Sequence, residues 1–426
     1  MKGPVDASGT PLKKPKGVRV VAVVFYGRRG RASILECYLR KNLVSNGGWL
    51  DEVVWAVNTH IEGDLVYAEE VTKTAHEYTY LSIPPAEGFV FADVWREAFT
   101  DEDAIYLKID DDVIFMEDNA IPRLVTTLIK NPDALTVSAN IVNNPAIGWL
   151  QYHMGAVHPY IPEVDPKGNH VATRENGIWR ASDLPVERNS PWELPNMEEF
   201  FSAWGVESDD EIPKHRWVPT TNSIMQTPIA LSQYDPYGPN LQYWALGAQA
   251  HYSLLQNIEE NKTSRYFIIH GNDKASGLAS TWRMTGTRLS INFMAIRGRD
   301  VLEYMESIVV GDDEVNLTVD LPLAIGRSVL VETTSLGAHF NFGPQKHLAK
   351  SDILERYHNY ANERVCPGSI LEPEFYYEGE DPPEEPPVVE EEPPAEEEEW
   401  PMDEEEWLME QERWLVEQAK ESEEIY

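Results

Sequence analysis

Cysteine is almost missing from this sequence: Cys37 and Cys366 are the only two in 426 residues. Two cysteines cannot build a disulfide framework, and their wide separation fits no zinc-binding spacing, so a reducing compartment is expected. Long hydrophobic runs are missing too. No stretch approaches the ~18 apolar residues of a membrane-spanning helix. The N-terminal MKGPVDASGTPLKKPKG also lacks the apolar core of a signal peptide. The expectation is a soluble, cytoplasmic protein with no membrane span.

Basic residues are scarce, 35 against 72 acidic ones, which gives a net charge of −37. That deficit argues against a nucleic-acid binder. It is unevenly spread: residues 371–426 hold 24 acidic side chains and only Arg413 and Lys420 as bases, a net −22, leaving about −15 for the remainder. Hydrophobic residues make up 42%, ordinary for a globular chain, and the length allows one large domain or two.

What the sequence does have is a rhythm of strands and helices. VRVVAVVFY (18–26) is a nearly continuous β-branched run, the pattern of a strand covered on both faces. The turn GRRGR follows, and then ASILECYLRKNLV places Ile34, Leu35, Tyr38, Leu39 and Leu43 on one helical face. LDEVVWAVNT and YTYLSI read as further strands, VFADVWREAF (90–99) as a helix, and AIYLKI as the next strand. A helix is expected from Asp118 or Asn119 with Pro122 in its first turn, and then a strand at ALTVSA. This alternation predicts an α/β fold with a mixed, mainly parallel sheet flanked by helices. Residues 145–240, rich in Trp, Tyr, Pro and Asn, read as long aromatic loops. They precede a helix carrying Leu241, Trp244, Leu255 and Ile258, strands near 266–270 and 289–296, and a last helix over 351–363. Residues 1–17 read as a disordered arm, and everything from 367 on as a Pro/Glu-rich tail.

Ligands of such sheets bind beyond the carboxyl ends of the strands. Gly27–Arg31, Asn58-Thr59 and Asp110–Asp112 all fall there. The last group, in KIDDD, places three carboxylates side by side between two apolar segments. Adjacent carboxylates repel, and oxygen-only ligands suit Mg²⁺ or Mn²⁺. Alternation along an extended chain sends Asp110 and Asp112 to one side and Asp111 to the other. The competing reading is a solvated acidic turn.

A strand-ending Asp-x-Asp in an α/β domain, preceded by a basic turn after the first strand, resembles the GT-A class of nucleotide-sugar glycosyltransferases, in a fungal-type form. The resemblance covers 18–142 well and 265–363 more loosely. It implies a nucleotide-sugar-binding half over 18–142 and an acceptor half over 143–366, and metal-dependent transfer from a UDP- or GDP-type donor to a hydroxyl acceptor, by inversion. Asp110 and Asp112 would then meet the ribose and the metal, with Asp111 orienting the pair. Arg28, Arg29, Arg31 and Asn58 would meet the nucleotide, and Arg283 or Arg288 would close over the diphosphate. GDDEVNLTVDLP supplies Asp312 and Asp313 as candidate general bases, beside which stands the plainer reading of a capped helix start. His339 in LGAHFNFG resembles the late histidine that completes such metal sites; a lone histidine also serves structure.

Two other classes fit parts of this pattern. A nucleotidyltransferase acting on a sugar phosphate shares the sheet and the acidic ligands, and FYGRRGRAS echoes its glycine-rich turn only faintly. A non-catalytic scaffold on the same fold would need neither acidic cluster. In the tail, Trp407, Leu408, Gln411, Trp414, Leu415 and Gln418 recur at helical spacing within 404–420, which suggests a short amphipathic helix that docks on its own domain or on a protein partner.

Overall fold

The strand β1 (Arg19–Tyr26) lies at the centre of one half of the sheet, and all but its first residue is buried. Val20, Ala22, Val24 and Tyr26 point into one hydrophobic cluster, and Val21, Val23 and Phe25 into another on the opposite face. This is the two-sided burial that its unbroken apolar run implies. The computed structural model describes residues 3–5, 9–84, 91–163, 170–188, 214–232, 243–268 and 280–372.

Parallel to β1 run β2 (Glu52–Val57), which pairs with β3 (Tyr78–Ser82), and β4 (Ala104–Asp110) on the other side. The short β5 (Val113–Met116) follows β4 directly, and β6 (Ala134–Val142) is buried throughout. β7 (Tyr160–Pro162) and β8 (Trp217–Pro219) form a separate antiparallel pair, and β9 (Thr281–Arg283) sits at the sheet's margin. β10 (Phe293–Arg297) is inserted antiparallel between β4 and β6, and the long β11 (Ser328–His339) runs parallel to β6 and antiparallel to β5. The order β3-β2-β1-β4-β10-β6-β11-β5 is a mixed sheet flanked by helices, as expected from the sequence.

The helices cover both faces. On the first lie α1 (Arg29–Asn42), α2 (Glu62–Thr72), α4 (Ala120–Lys130), α6 (Trp244–Glu259) and α10 (Ile353–Arg364). On the second lie α3 (Ala92–Ala98), where Trp95 and Phe99 stack at 4.3 Å, and α7 (Gly298–Ile308). α5 (Pro145–His153) leaves the carboxyl end of β6. The stretch read as the start of one helix is broken into α8 (Asp313–Val315), a π-turn (Asn316–Asp320) and α9 (Leu321–Ile325). No helix among the described residues is long and apolar enough to cross a membrane.

Several expectations change. β11 went unread because Glu332-Thr-Thr-Ser335 breaks its apolar pattern, yet all twelve residues are buried. The predicted strand at 266–270 begins instead as a 3₁₀ turn, Thr263–Tyr266, and residues 269–270 lie outside the described residues. The described part of the 1–17 arm is held: Trp49 Nε1 donates to the Leu12 carbonyl at 2.9 Å, and Lys14 pairs with Asp51. At the other end, contacts continue past Pro367. Arg40 donates to the Ser369 carbonyl at 2.8 Å, and Glu372 pairs with Arg174 and His358. The predicted helix at 404–420 and most of the tail lie outside the described residues.

Cys37 in α1 and Cys366 just beyond α10 are joined in a disulfide, with Cα atoms 5.6 Å apart and both side chains fully buried. Their 329-residue separation hid this from the sequence, since only the packing of α1 on α10 brings them together. A bridge of this kind persists in oxidising surroundings, which runs against the reducing compartment expected. The double variant Cys37→Ala/Cys366→Ala should lose about 2–5 kcal/mol of unfolding free energy in urea denaturation. Wild-type protein with strong reductant should fall towards the same value; if reductant leaves the wild type unchanged, the bridge is not formed in solution.

Candidate functional site

Helix α1 begins with an electrostatic mismatch. Its first turn contains Arg29 and Arg31 and no acidic residue, and Arg28 at its N-cap makes no side-chain cap. Helix N-termini carry unsatisfied N–H groups and partial positive charge, so negative partners must come from elsewhere. Two elements supply them. Asp111 Oδ2 accepts from the backbone N–H groups of Gly27 and Arg28 at 2.8 and 2.7 Å, and Asp64 Oδ1 accepts from the Arg29 N–H at 3.0 Å. The middle aspartate thus ties the turn after β1 to the end of β4.

The flanking aspartates, one at the end of β4 and one in the turn after it, group with a late histidine instead. Asp110, Asp112 and His339 each present one ligand atom within a 4.8 Å group. Asp112 is 3% exposed. Its Oδ1 lies 3.1 Å from His339 Nε2 but takes no well-formed hydrogen bond, while its Oδ2 lies 3.0 Å from Arg28 Nη2 and 3.4 Å from Arg31 Nη1. Burial alone would push the Asp112 carboxyl up, but His339, Arg28 and Arg31 hold it well below the usual carboxylate range. Asp110 is shifted the other way: burial raises it, against the pull of Lys108 and with repulsion from Asp112. Asp110 accepts from Lys108 Nζ on one oxygen and from Asn292 Nδ2 on the other, the latter at 2.8 Å.

His339 reaches this group through a register shift between Ala338 and His339 at the end of β11. The next residue is fixed on both sides: the Phe340 N–H donates to the Asp112 carbonyl at 2.8 Å, and Asn143 Nδ2 donates to the Phe340 carbonyl at 2.8 Å. Asn143 sits at φ +64°, a left-handed conformation that asparagine tolerates better than most residues. Buried His251 places Nε2 3.0 Å from the same Phe340 carbonyl and Nδ1 3.0 Å from the Tyr357 hydroxyl.

A cleft of about 550 Å³ opens over the three aspartates, with His339 behind Asp112 and not in its lining. It is lined by Arg28, Asn58, Lys108 and Asp110–Asp112 from the first half of the chain, and by Arg288, Asn292 and Asp312–Glu314 from the second. Both acidic clusters therefore share one cavity. Asp312 is a helix cap, with Oδ1 accepting from the N–H groups of Glu314 and Val315 at 3.0 and 3.1 Å and Oδ2 2.7 Å from Arg288. Asp313 accepts from Trp95 Nε1 at 2.9 Å through Oδ2. Three residues expected at the nucleotide lie elsewhere: Arg29 is turned to Asp64 at 2.8 Å, Arg31 is buried beside Asp112 at 3.4 Å, and Arg283, on β9, lies 3.6 Å from Asp133, with none of them lining the cleft. Lys108 and Asn292 were not foreseen. Lys108 had a signal, a lone cation in a covered strand two residues before Asp110 and so on its face; Asn292 had none.

No family model matches the chain, and no curated protein does. Among solved structures, glucosyl-3-phosphoglycerate synthase from Mycobacterium tuberculosis, in complex with Mn²⁺, UDP and phosphoglyceric acid, is similar at 18% identity over 29% of this chain and 43% of that one, with a TM-score of 0.23. The 4-diphosphocytidyl-2C-methyl-D-erythritol synthase from Anaerococcus prevotii matches at 15% identity over 29% of this chain and 56% of that one, also at 0.23. The chain spans about half the length of the structures it matches. At these values the likeness says nothing about activity.

Burial depresses His251 from 6.5 to about 4. The unfolded chain then binds the extra proton between those values, so stability should rise with pH across that window and be lost as pH falls through it. The shift is worth about 3 kcal/mol at its lower end. Urea titrations between pH 4 and 7 should show a shallower slope in His251→Leu than in the wild type; equal slopes would mean that the imidazole is not buried neutral.

Proposed function

We propose that the protein is a metal-dependent glycosyltransferase that moves a sugar from a nucleoside-diphosphate donor to a hydroxyl acceptor. The observation that carries this is Asp112: a buried carboxylate with one oxygen lacking a well-formed hydrogen bond, grouped with Asp110 and His339 at a cleft that also holds a second acidic cluster. Two carboxylates and one imidazole suit Mn²⁺ or Mg²⁺. Asp110, Asp112 and His339 would hold the ion, which when bound neutralises charge on a diphosphate leaving group.

The chain's own residues divide the remaining work. Asp111 fixes the Gly27–Arg28 turn, so that Arg28 presents its planar fork to phosphate oxygens. Asn58 borders the cleft on the side of β2, where a nucleoside would lie. Asp313 is the better candidate for the base that takes the proton from the acceptor hydroxyl, because both Asp312 oxygens are engaged by the helix cap and Arg288. Trp95 Nε1 would hold Asp313 in place while its other oxygen meets the acceptor. Direct displacement assisted by such a base leads to inversion. The domain limits are proposed in the same sense, a nucleotide-sugar half over 18–142 and an acceptor half over 143–366, with a tail from 367 onward that docks on its own domain or on a protein partner.

Asp112→Asn should abolish Mn²⁺-dependent binding of UDP or GDP while thermal unfolding shows a folded chain. Unchanged nucleotide affinity in the folded variant would sink the assignment. Asp313→Asn should lower kcat by roughly 10²–10⁴-fold with little change in donor affinity, the signature of a group acting in the transition state. A wild-type rate in that variant would leave the Asp312–Glu314 cluster as a helix cap alone.

A further inference from the structure

The carboxylates of this site are matched by side-chain cations. Arg28 Nη2 lies 2.5 Å from Asp111 Oδ1 and 3.0 Å from Asp112 Oδ2, Arg31 lies beside Asp112, and Lys108 pairs with Asp110. A divalent cation arriving alone therefore meets negative charge that is already compensated, and an Asp112 oxygen beside a guanidinium. The cations differ in what they can do next. Arg31 is 8% exposed and lies against the Phe340 ring at 4.8 Å, and Lys108 is buried over the Phe25 ring at 4.7 Å. The Arg28 side chain is 41% exposed and lines the cleft. It alone of the three can swing towards a ligand without leaving a cavity in the core.

We propose that Arg28 exchanges a carboxylate for a phosphate, so that the divalent cation and the nucleoside diphosphate enter as a coupled pair, each weak without the other. This rests on the metal-and-diphosphate reading above. A diphosphate draws the guanidinium from its single contact with Asp112 by offering a bidentate pairing in a more exposed place. Asp112 then loses the nearer of its two guanidinium partners, with Arg31 remaining, and that oxygen is freed to turn from a salt-bridge partner into a metal ligand. In the reverse direction, a cation at Asp110 and Asp112 repels Arg28 towards the cleft, where the diphosphate takes it up. The coupling must be equal in both directions.

Titration calorimetry of the full chain with MnCl₂ and with UDP or GDP, each alone and with the other saturating, tests this. In the wild type, nucleotide should tighten Mn²⁺ by at least about tenfold, and Mn²⁺ should tighten nucleotide by the same factor. Arg28→Met removes the charge: Mn²⁺ alone should bind at least about tenfold tighter than to the wild type, nucleotide alone more weakly, and the coupling factor should fall to the part that direct attraction between cation and diphosphate supplies. Arg28→Lys keeps the charge and should restore weak binding of Mn²⁺ alone, and Arg28→Gln gives a second neutral variant should the methionine form not fold. Equal Mn²⁺ affinity in the wild type and the neutral variants, or an unchanged coupling factor, overturns the proposal while leaving the metal site standing. No Mn²⁺ binding by the wild type under any condition overturns the metal site itself, and this proposal with it.

Discussion

The contact on which the site depends is the one between the Asp111 carboxylate and the backbone of Gly27 and Arg28. It joins the carboxyl ends of two neighbouring parallel strands, β1 and β4, and it supplies negative charge to a helix that opens with arginines. Without it the basic turn and the acidic turn would each be an exposed patch of one sign. With it, the turn after β1 is fixed at the base of the cleft and Arg28 is carried to Asp112. Asp64 does the same for Arg29 from the other side. The start of α1 is thus set by tertiary charge rather than by a local cap.

The other wall of the cleft depends on insertion. Were the sheet purely parallel, β4 would be followed by β6 and the cleft would be lined by one half of the chain. Instead β10 enters antiparallel between them, and its leading residue Asn292 both accepts the Asp110 N–H in its carbonyl and donates to the Asp110 carboxylate. The same segment brings Arg288, and the helical turns after α7 bring Asp312 and Asp313. β11 closes the arrangement by carrying His339 to Asp112 on the strand that pairs with β5. Residues more than 180 positions apart therefore meet because two late strands fill places in a sheet that early strands began.

This explains how much could be read from the sequence. β1, β2, β4 and β6 announce themselves because strands buried on both faces are mainly apolar, whereas β3, at the sheet edge, is partly exposed. The place of Asp110–Asp112 at a strand end was equally legible. The pairing of β10 and β11 was not, since it is long-range and β11 carries Glu332, Thr333, Thr334 and Ser335 in its buried middle. Nor was the disulfide, which needs the packing of α1 on α10. The arginines divide in the same way. Position after β1 pointed to Arg28 and Arg29 alike, but only the nearby carboxylates decide that Arg28 stays at the cleft while Arg29 turns to Asp64. At 312–313 the sequence held a base and a cap side by side, and in the structure Asp312 takes the cap.

The puzzle of three adjacent carboxylates has a physical resolution. Repulsion among Asp110, Asp111 and Asp112 is relieved by giving each a different surrounding: backbone amides and Arg28 for Asp111, a lysine and an asparagine for Asp110, and His339 with two arginines for Asp112. The opposite shifts of Asp110 and Asp112 follow from that division, since one is governed by burial and the other by cations. A solvated acidic turn would need none of these partners, because water would screen it. The fold has instead buried Asp111 and Asp112, half-buried Asp110, and assembled their counter-charges from the turn after β1, helix α1 and the strands β4 and β11. Such an arrangement keeps the carboxylates matched by cations while leaving one of those cations, Arg28, exposed at the cleft, where an ion-pair network serving the sheet alone would have no need of it.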